Sequence, residues 1–380
     1  MRREDEEALQ QPYPETTPIP ERFADRLGVV LPSVRELQRE VFADFDDKAH
    51  GIGWWAPHPG TSRRILISDH LLMCVGSIET NLLEAQLHLL ELRDFDEQED
   101  RIIAHAVTHD HQGRPSIKMP ARESASQDLP IYMAALHVAG FFRAVGSALD
   151  CLGAAIVGVL ALPISILRAD VDKAVGALDK INAPSTDGEK AQAAFRADFA
   201  TLVASAGPPG WLRWATDYRN MLVHRGRRLQ LSLLGRRGAV LHGADGRPIM
   251  LARSIRQLAQ DPGLSDVEAL FSTAATAPVL TEDATTTLDG IMTSARALGD
   301  ATSAALVHVW KKRRAEPALL DQPKAQWRDG RSSSSCGFAG YKPGSIPFNA
   351  DALFSDDTFG RRLRTGALDT VGKKKWPSFD

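Results

Sequence analysis

The residue types best suited to chemistry stand together in one stretch, WLRWATDYRNMLVHRGRR at positions 211–228. Helical spacing sorts them onto two faces. Trp211, Trp214, Ala215, Tyr218, Met221 and Leu222 recur at three and four residues and form an apolar stripe for a core. Arg213, Asp217, Asn220, His224 and Arg227 recur at i, i+4, i+7, i+11 and i+14 on the other side, so the amide and the imidazole point into the same space. Arg219 lies about 100° round the helix from Asn220, at the border of the polar face, where a guanidinium on a long stem reaches across. One helix therefore offers an imidazole, an amide and a guanidinium to a single site. Such a set suits proton transfer by a group titrating at about 6.5, beside a fixed cation whose paired N–H donors hold oxyanions.

The charge pattern agrees. Residues 211–238 carry seven arginines (Arg213, Arg219, Arg225, Arg227, Arg228, Arg236 and Arg237) against the single acid Asp217, a net +6 in a chain whose total is −3. The remainder is therefore near −9. A basic stripe on an acidic protein attracts a polyanion at one place only, and RNA backbone is the expected partner, with Arg213, Arg225, Arg227 and Arg228 as the phosphate contacts.

Competing chemistries lack their signatures. No GxxxxGK loop, no GxGxxG after a strand and no GxSxG elbow occurs. In HAVTHDH, His105 and His109 are four apart with Asp110 and His111 behind them, but Ala106 stands where a catalytic zincin needs glutamate. That cluster reads as a solvated polar helix end, and no metal or cofactor is assigned. Three cysteines (Cys74, Cys151 and Cys336) are too scattered for a disulfide framework, so reduced cytosolic thiols are expected.

The elements that must position the stretch are mostly helices. Asp69–Arg93 has a dense apolar face, with Asp69 as cap and a continuation to about Val107, and a shorter helix is expected over Val34–Phe45. Between them, GIGWWAPHPGTS has loop composition with two tryptophan anchors. After a polar stretch from Asp110 to Gln127, the segment Ile131–Leu162 is nearly all apolar or small, and its Arg143, Ser147 and Asp150 share one stripe that needs a partner or a cleft. Helices are expected over Arg168–Asn182 and Gly188–Ala206, with Pro184, Ser185, Thr186 and Asp187 as stop and cap signals between them. Gly207, Pro208, Pro209 and Gly210 force a reversal before the helix Trp211–Arg228. Beyond it, alternation around an Asp245–Gly246 turn predicts a β-hairpin, and a last amphipathic helix spans Thr281–Arg314 with its basic end suited to a helix C-terminus. The acidic, proline-rich N-terminus has no signal-peptide core. Cys151–Leu167, the most apolar run, is seventeen residues interrupted by Pro163, where a membrane span needs about 20, so it reads as a buried core helix and no membrane partner is expected.

The string Arg219, Asn220, three residues, His224 resembles the Rx4-6H signature of HEPN-domain proteins, in which a polar residue often follows the arginine. The resemblance covers Ile131–Arg228, extending to Asp69–Arg93. It implies an all-α, HEPN-like antiparallel helical bundle with additional N-terminal helices, a small β-hairpin insertion and an irregular C-terminal tail. The expected division is 1–30 as a flexible leader, 31–127 as an N-terminal helical region packed on the bundle, 128–230 as the HEPN-like core, 231–314 as hairpin and C-terminal helix, and 315–380 as tail.

Carried over by position, Arg219 and His224 match the family's catalytic pair and Asn220 its polar neighbour. Asp150 matches the acidic or polar residue that many members place on a preceding helix. The resemblance implies a metal-independent endoribonuclease acting by 2′-hydroxyl transesterification, of the kind found in toxins and anti-phage defence. The alternative is a non-catalytic HEPN-like scaffold or an RNA- or protein-binding module. Because one helix supplies one histidine, the resemblance also implies a homodimer that apposes two motifs. It also implies an antitoxin or other regulatory protein as a further partner, and the cysteine usage places the protein in the cytoplasm.

Overall fold

The computed structural model describes residues 24–46, 51–52, 61–109, 115–117, 125–224, 232–235, 240–242, 248–250, 253–263, 280–319 and 341. The fold is all-α, with short two-stranded ribbons between helices. The main helices among the described residues are α1 (Pro32–Ala43), α2 (Thr61–Ala106), α3 (Ala125–Leu160), α4 (Val171–Asp179), α5 (Asp187–Ala206), α6 (Trp211–His224) and α7 (Ala284–Ala315).

Several boundaries differ from the sequence expectation. Asp69 caps nothing: α2 starts at Thr61, and Asp69 lies inside it between the buried Ser68 and Leu71. An apolar period that already includes Ile67 carries the helix through the aspartate. Asp170 does cap α4, its carboxylate accepting from the Lys173 N–H at 2.7 Å. A capping box opens α5, with Thr186 accepting from the Glu189 N–H and Glu189 accepting from the Ser185 N–H. The expected helix over Arg168–Asn182 shortens to α4 because Asp170 takes the cap position. Antiparallel pairs form between Phe45–Asp46 and Gly51–Ile52 and between Val107–His109 and Pro115–Ile117. Strands Val240–His242 and Pro248–Met250 flank the predicted Asp245–Gly246 turn, and Ser232–Gly235 pairs with Arg253–Arg256 outside them. The turn itself, the tryptophans of the GIGWW loop, residues 1–23, and the tail other than 315–319 and 341 lie outside the described residues.

The chain forms two compact units, Met1–Leu31 with Glu79–Ala148 and Thr201–Gly299, and Pro32–Ile78 with Leu149–Ala200 and Asp300–Asp380. Each gathers residues from 31–127, 128–230 and 231–314.

In the first unit, α2 is tied to α7 by the ion pair Arg93–Asp289 and by Thr285 donating to Asp96. Residues 24–30, assigned to a flexible leader, are tucked into this unit: Ala24 and Val29 are buried, and Arg296 donates to the Gly28 carbonyl. Leu31 donates its N–H to Glu79 at 3.0 Å. On α3, Phe142 stacks on Tyr218 of α6 with ring centroids 4.3 Å apart, and Trp214 closes the cluster at 5.7 Å from Phe142 and 5.1 Å from Tyr218. Each such pair adds about 0.5–1.5 kcal/mol beyond the area it buries.

In the second unit, residues 152–162 of the chain are buried almost without a break. Close approach is the reason Gly153 is glycine: a Cβ there would stand 2.2 Å from the Asp170 carbonyl carbon and 2.4 Å from the Val171 nitrogen. Gln192 of α5 donates to the Leu160 carbonyl left over at the end of α3. Acidic residues of α1 and the residue after it meet the basic end of α7. Lys311 bonds Glu36 at 2.8 Å, Arg314 bonds Glu40 at 2.8 Å and Asp44 at 3.0 Å, and the buried Trp310 indole donates to Asp44 at 2.7 Å. Burial alone would raise the Glu40 pKa, but hydrogen bonds from Arg314 and Lys311 hold it below the ordinary value. The basic end of α7 thus answers carboxylates in addition to the helix dipole. Arg313 differs from its neighbours: it is buried, its three guanidinium nitrogens find no partner among the described residues, and desolvation lowers its pKa to about 9.

By length and composition, Met133–Leu160 could cross a membrane, and 78% of its most apolar window is buried within the chain itself. Core burial accounts for that apolarity.

Candidate functional site

The 14-residue helix α6 begins directly after the Gly207–Gly210 reversal, with the Trp211 N–H bonded to the Pro208 carbonyl and the Trp214 N–H to the Gly210 carbonyl. Its inward arc is Trp211, Ala215, Tyr218 and Met221, all buried. Trp214 and Leu222, also expected in the core, are only half-buried. The Trp214 indole N–H reaches out to the Ala259 and Gln260 carbonyls, and Leu222 lies in the last turn of the helix. The Trp211 indole anchors the other end on the Val203 carbonyl.

Arg219 is half-buried at the edge of this arc. Its stem crosses α3 at Gly146, where a Cβ would come within 2.8 Å of the Arg219 Cγ and 3.0 Å of its Nε. Glycine leaves the groove in which the side chain lies. The guanidinium then donates to the Asn220 Oδ1 at 3.0 Å, which turns the amide N–H2 of Asn220 away from the arginine. His224 is the last residue of α6, four positions on from Asn220, and its side chain is outside the description. Arg213 is 90% exposed and pairs with Asp217 at 3.6 Å along the helix, a contact worth a few tenths of a kcal/mol, roughly the i, i+4 value. Arg225, Arg227 and Arg228 lie outside the described residues.

Asp150 belongs to the other unit, half-buried at the end of the Arg143, Ser147, Asp150 stripe. That stripe is not buried: Arg143 is exposed and Ser147 half-buried, because the polar positions of α3 face outward while its apolar majority packs inward. The histidine cluster also separates. His105 is in the last turn of α2, His109 is on the strand Val107–His109, and His111 lies outside the described residues, so the shared helical face expected for the first two does not form. Among the described residues no group of three or more His, Cys, Asp or Glu is arranged to hold a metal.

Sequence reasoning missed two features. Gly146 and Phe142 position Arg219 and Tyr218, and a glycine inside an otherwise apolar helix was the available signal. A histidine pair in the first unit had no signal, since His88 and His137 are 49 positions apart. Their Nδ1 atoms share a hydrogen bond of 3.0 Å, one donating and the other accepting. Glu84 lies 3.9 Å from the His88 Nε2, the Phe95 ring lies against His137, and the buried His137 Nε2 has no partner among the described residues. Burial first, and His137 second, hold the His88 pKa below its ordinary value against the opposing pull of Glu84 and Glu91.

No protein-family model matches the chain, and neither a curated protein nor a solved structure matches it.

Proposed function

We propose that the chain is a metal-independent endoribonuclease of HEPN type, acting in the cytoplasm as a toxin or anti-phage effector. The observation that carries this reading is the seat of Arg219: a guanidinium laid over Gly146 and bonded to Asn220, on the helix that ends at His224. In the proposed reaction the His224 imidazole takes the proton of an RNA 2′-hydroxyl as its oxygen attacks the adjacent phosphorus. Arg219 carries the charge that builds on the phosphoryl oxygens, and the Asn220 amide donates to one of them. The bond to the 5′-oxygen breaks, leaving a 2′,3′-cyclic phosphate. The leaving oxygen needs an acid, which the His224 of a second copy would supply across a two-fold cleft, so the proposal includes a homodimer. The nucleophile is internal to the RNA and needs no metal-activated water. Arg213, Arg225, Arg227 and Arg228 are assigned to backbone phosphates, and Asp150 to no step.

The test is cleavage of single-stranded RNA by purified protein in EDTA, with the ends analysed for cyclic phosphate. His224→Ala is expected to lower the rate by about 10²–10⁴-fold while helical content and most RNA affinity remain. Arg219→Ala should lose cleavage and some binding together, and Asn220→Ala should be milder. Binding should weaken steeply between low and physiological salt. A wild type that stays folded and cleaves no RNA would favour the non-catalytic scaffold. Unfolding of the His224→Ala variant would make that histidine structural.

A further inference from the structure

Two of the three cysteines, scattered in sequence, meet within the second unit, where α2 and α3 pass each other with Leu71 packed on Gly158. The thiols of Cys74 on α2 and Cys151 on α3 are hydrogen-bonded to each other. One turn before Cys74, the His70 Nε2 stands 3.4 Å from the Cys74 sulfur. The His70 ring also bonds the Ile166 backbone carbonyl, and in the tautomer that carries its proton on Nδ1 the Nε2 accepts from the thiol. The two sulfurs are not equivalent: Cys74 is buried, whereas Cys151 is half-buried.

We propose that Cys74 and Cys151 are a hydroperoxide-reactive pair that closes to a reversible disulfide between α2 and α3, with Cys151 as the attacked sulfur, Cys74 as the resolving one and His70 as the base that activates Cys74. The bond to Cys151, and burial second, push the Cys74 thiol up, so it needs a base; the bond from Cys74 holds Cys151 below its usual value despite burial and the charge of Asp150. In the first step the Cys151 thiolate attacks the terminal oxygen of the hydroperoxide. The O–O bond breaks, an alcohol or water leaves with a solvent proton, and Cys151 becomes a sulfenic acid. In the second, Cys74 gives its proton to His70 and its sulfur attacks the Cys151 sulfur. The S–O bond breaks, and the hydroxide leaves as water with the proton from His70. Two thiols and one hydroperoxide thus yield one disulfide, one alcohol or water, and one further water. A dithiol reductant reverses the reaction by exchange. The trio is not arranged as a metal centre.

The test uses the full-length chain and hydrogen peroxide. Peptide mapping of the oxidised wild type should find Cys74 linked to Cys151, with both thiols recovered after dithiothreitol. Cys74→Ser should leave a sulfenic acid on Cys151 that dimedone traps, and Cys151→Ser should give no adduct on Cys74. His70→Gln should slow closure by at least about 10-fold and let dimedone trap the Cys151 sulfenic acid with both cysteines in place. A wild type in which Cys74 and Cys151 both stay alkylatable while Cys336 is oxidised would overturn the proposal, as would linkage of either to Cys336. That mapping requires no variant to fold.

Discussion

Helix α3 makes a close approach through glycine in each unit, and the two differ in what lies opposite. At Gly146 the neighbour is the aliphatic stem of Arg219; at Gly153 it is the backbone of Asp170 and Val171 at the start of α4. A stem with several rotatable bonds can move aside, whereas a capped helix start cannot, because Asp170 is already bound to the Lys173 N–H. One glycine therefore sets the position of a side chain, and the other sets the packing distance of two helices. Function should be sensitive to the first and stability to the second.

Gly153→Ala should do the greater damage, since no rotamer relieves a contact with backbone. Urea unfolding should show a loss of about 3 kcal/mol, at the upper end of overpacking costs. An undiminished midpoint would mean that α4 is free to shift, and the contrast between the glycines would collapse.

Gly146→Ala should cost less, about 1 kcal/mol, as the Arg219 stem rotates away. The proposed RNA cleavage should nevertheless fall by about 10-fold or more, because the contact proposed between the guanidinium and the phosphoryl oxygens would be misplaced. Equal losses of stability at the two glycines, with cleavage untouched, would remove Arg219 from the proposed chemistry.

The smallest effect should appear on acidification, and it should come in two stages. The folded His88 pKa lies below the ordinary value of 6.5, so the unfolded chain binds more protons there. Its contribution is full above pH 6.5 and is lost as pH falls from there through the folded pKa, when a second proton on the pair sets two Nδ1–H donors face to face. Glu40 acts at lower pH: its contribution is present above its ordinary value of 4.5 and is lost as pH falls through its depressed folded value. Melting temperature against pH should show the first decline shrink in His137→Gln, the part due to burial of His88 remaining, and the second vanish in Glu40→Gln. A single decline, unaffected by His137→Gln, would separate the histidine pair from stability.

Much of the helical layout was legible in the sequence, for a local reason. Apolar residues at three and four spacing mark an inward face whatever it packs against, which is why the stripe of α6 and the long apolar run of α3 could be read directly. Caps were legible where a single side chain decides, as at Thr186, and failed where burial overrode the local signal, as at Asp69. The polar set of Arg219, Asn220 and His224 was likewise visible, since one helix carries all three. Their chain spacing fixed a common element, and nothing more.

Tertiary structure decided everything that depends on two elements meeting. Neither spacing nor composition links Arg219 to Gly146, His88 to His137 or Cys74 to Cys151, because each contact joins residues far apart in the chain whose approach depends on how helices pack. The basic end of α7 shows the same division. Lys311, Arg313 and Arg314 look alike as a run of charge, yet two meet carboxylates and one is buried with no partner for its guanidinium among the described residues. The sequence by itself determined the helices and the faces they present. Which faces touch, and so which thiol, imidazole or guanidinium acquires a partner, was settled only by packing, since contacts between distant residues are chosen by the whole core at once.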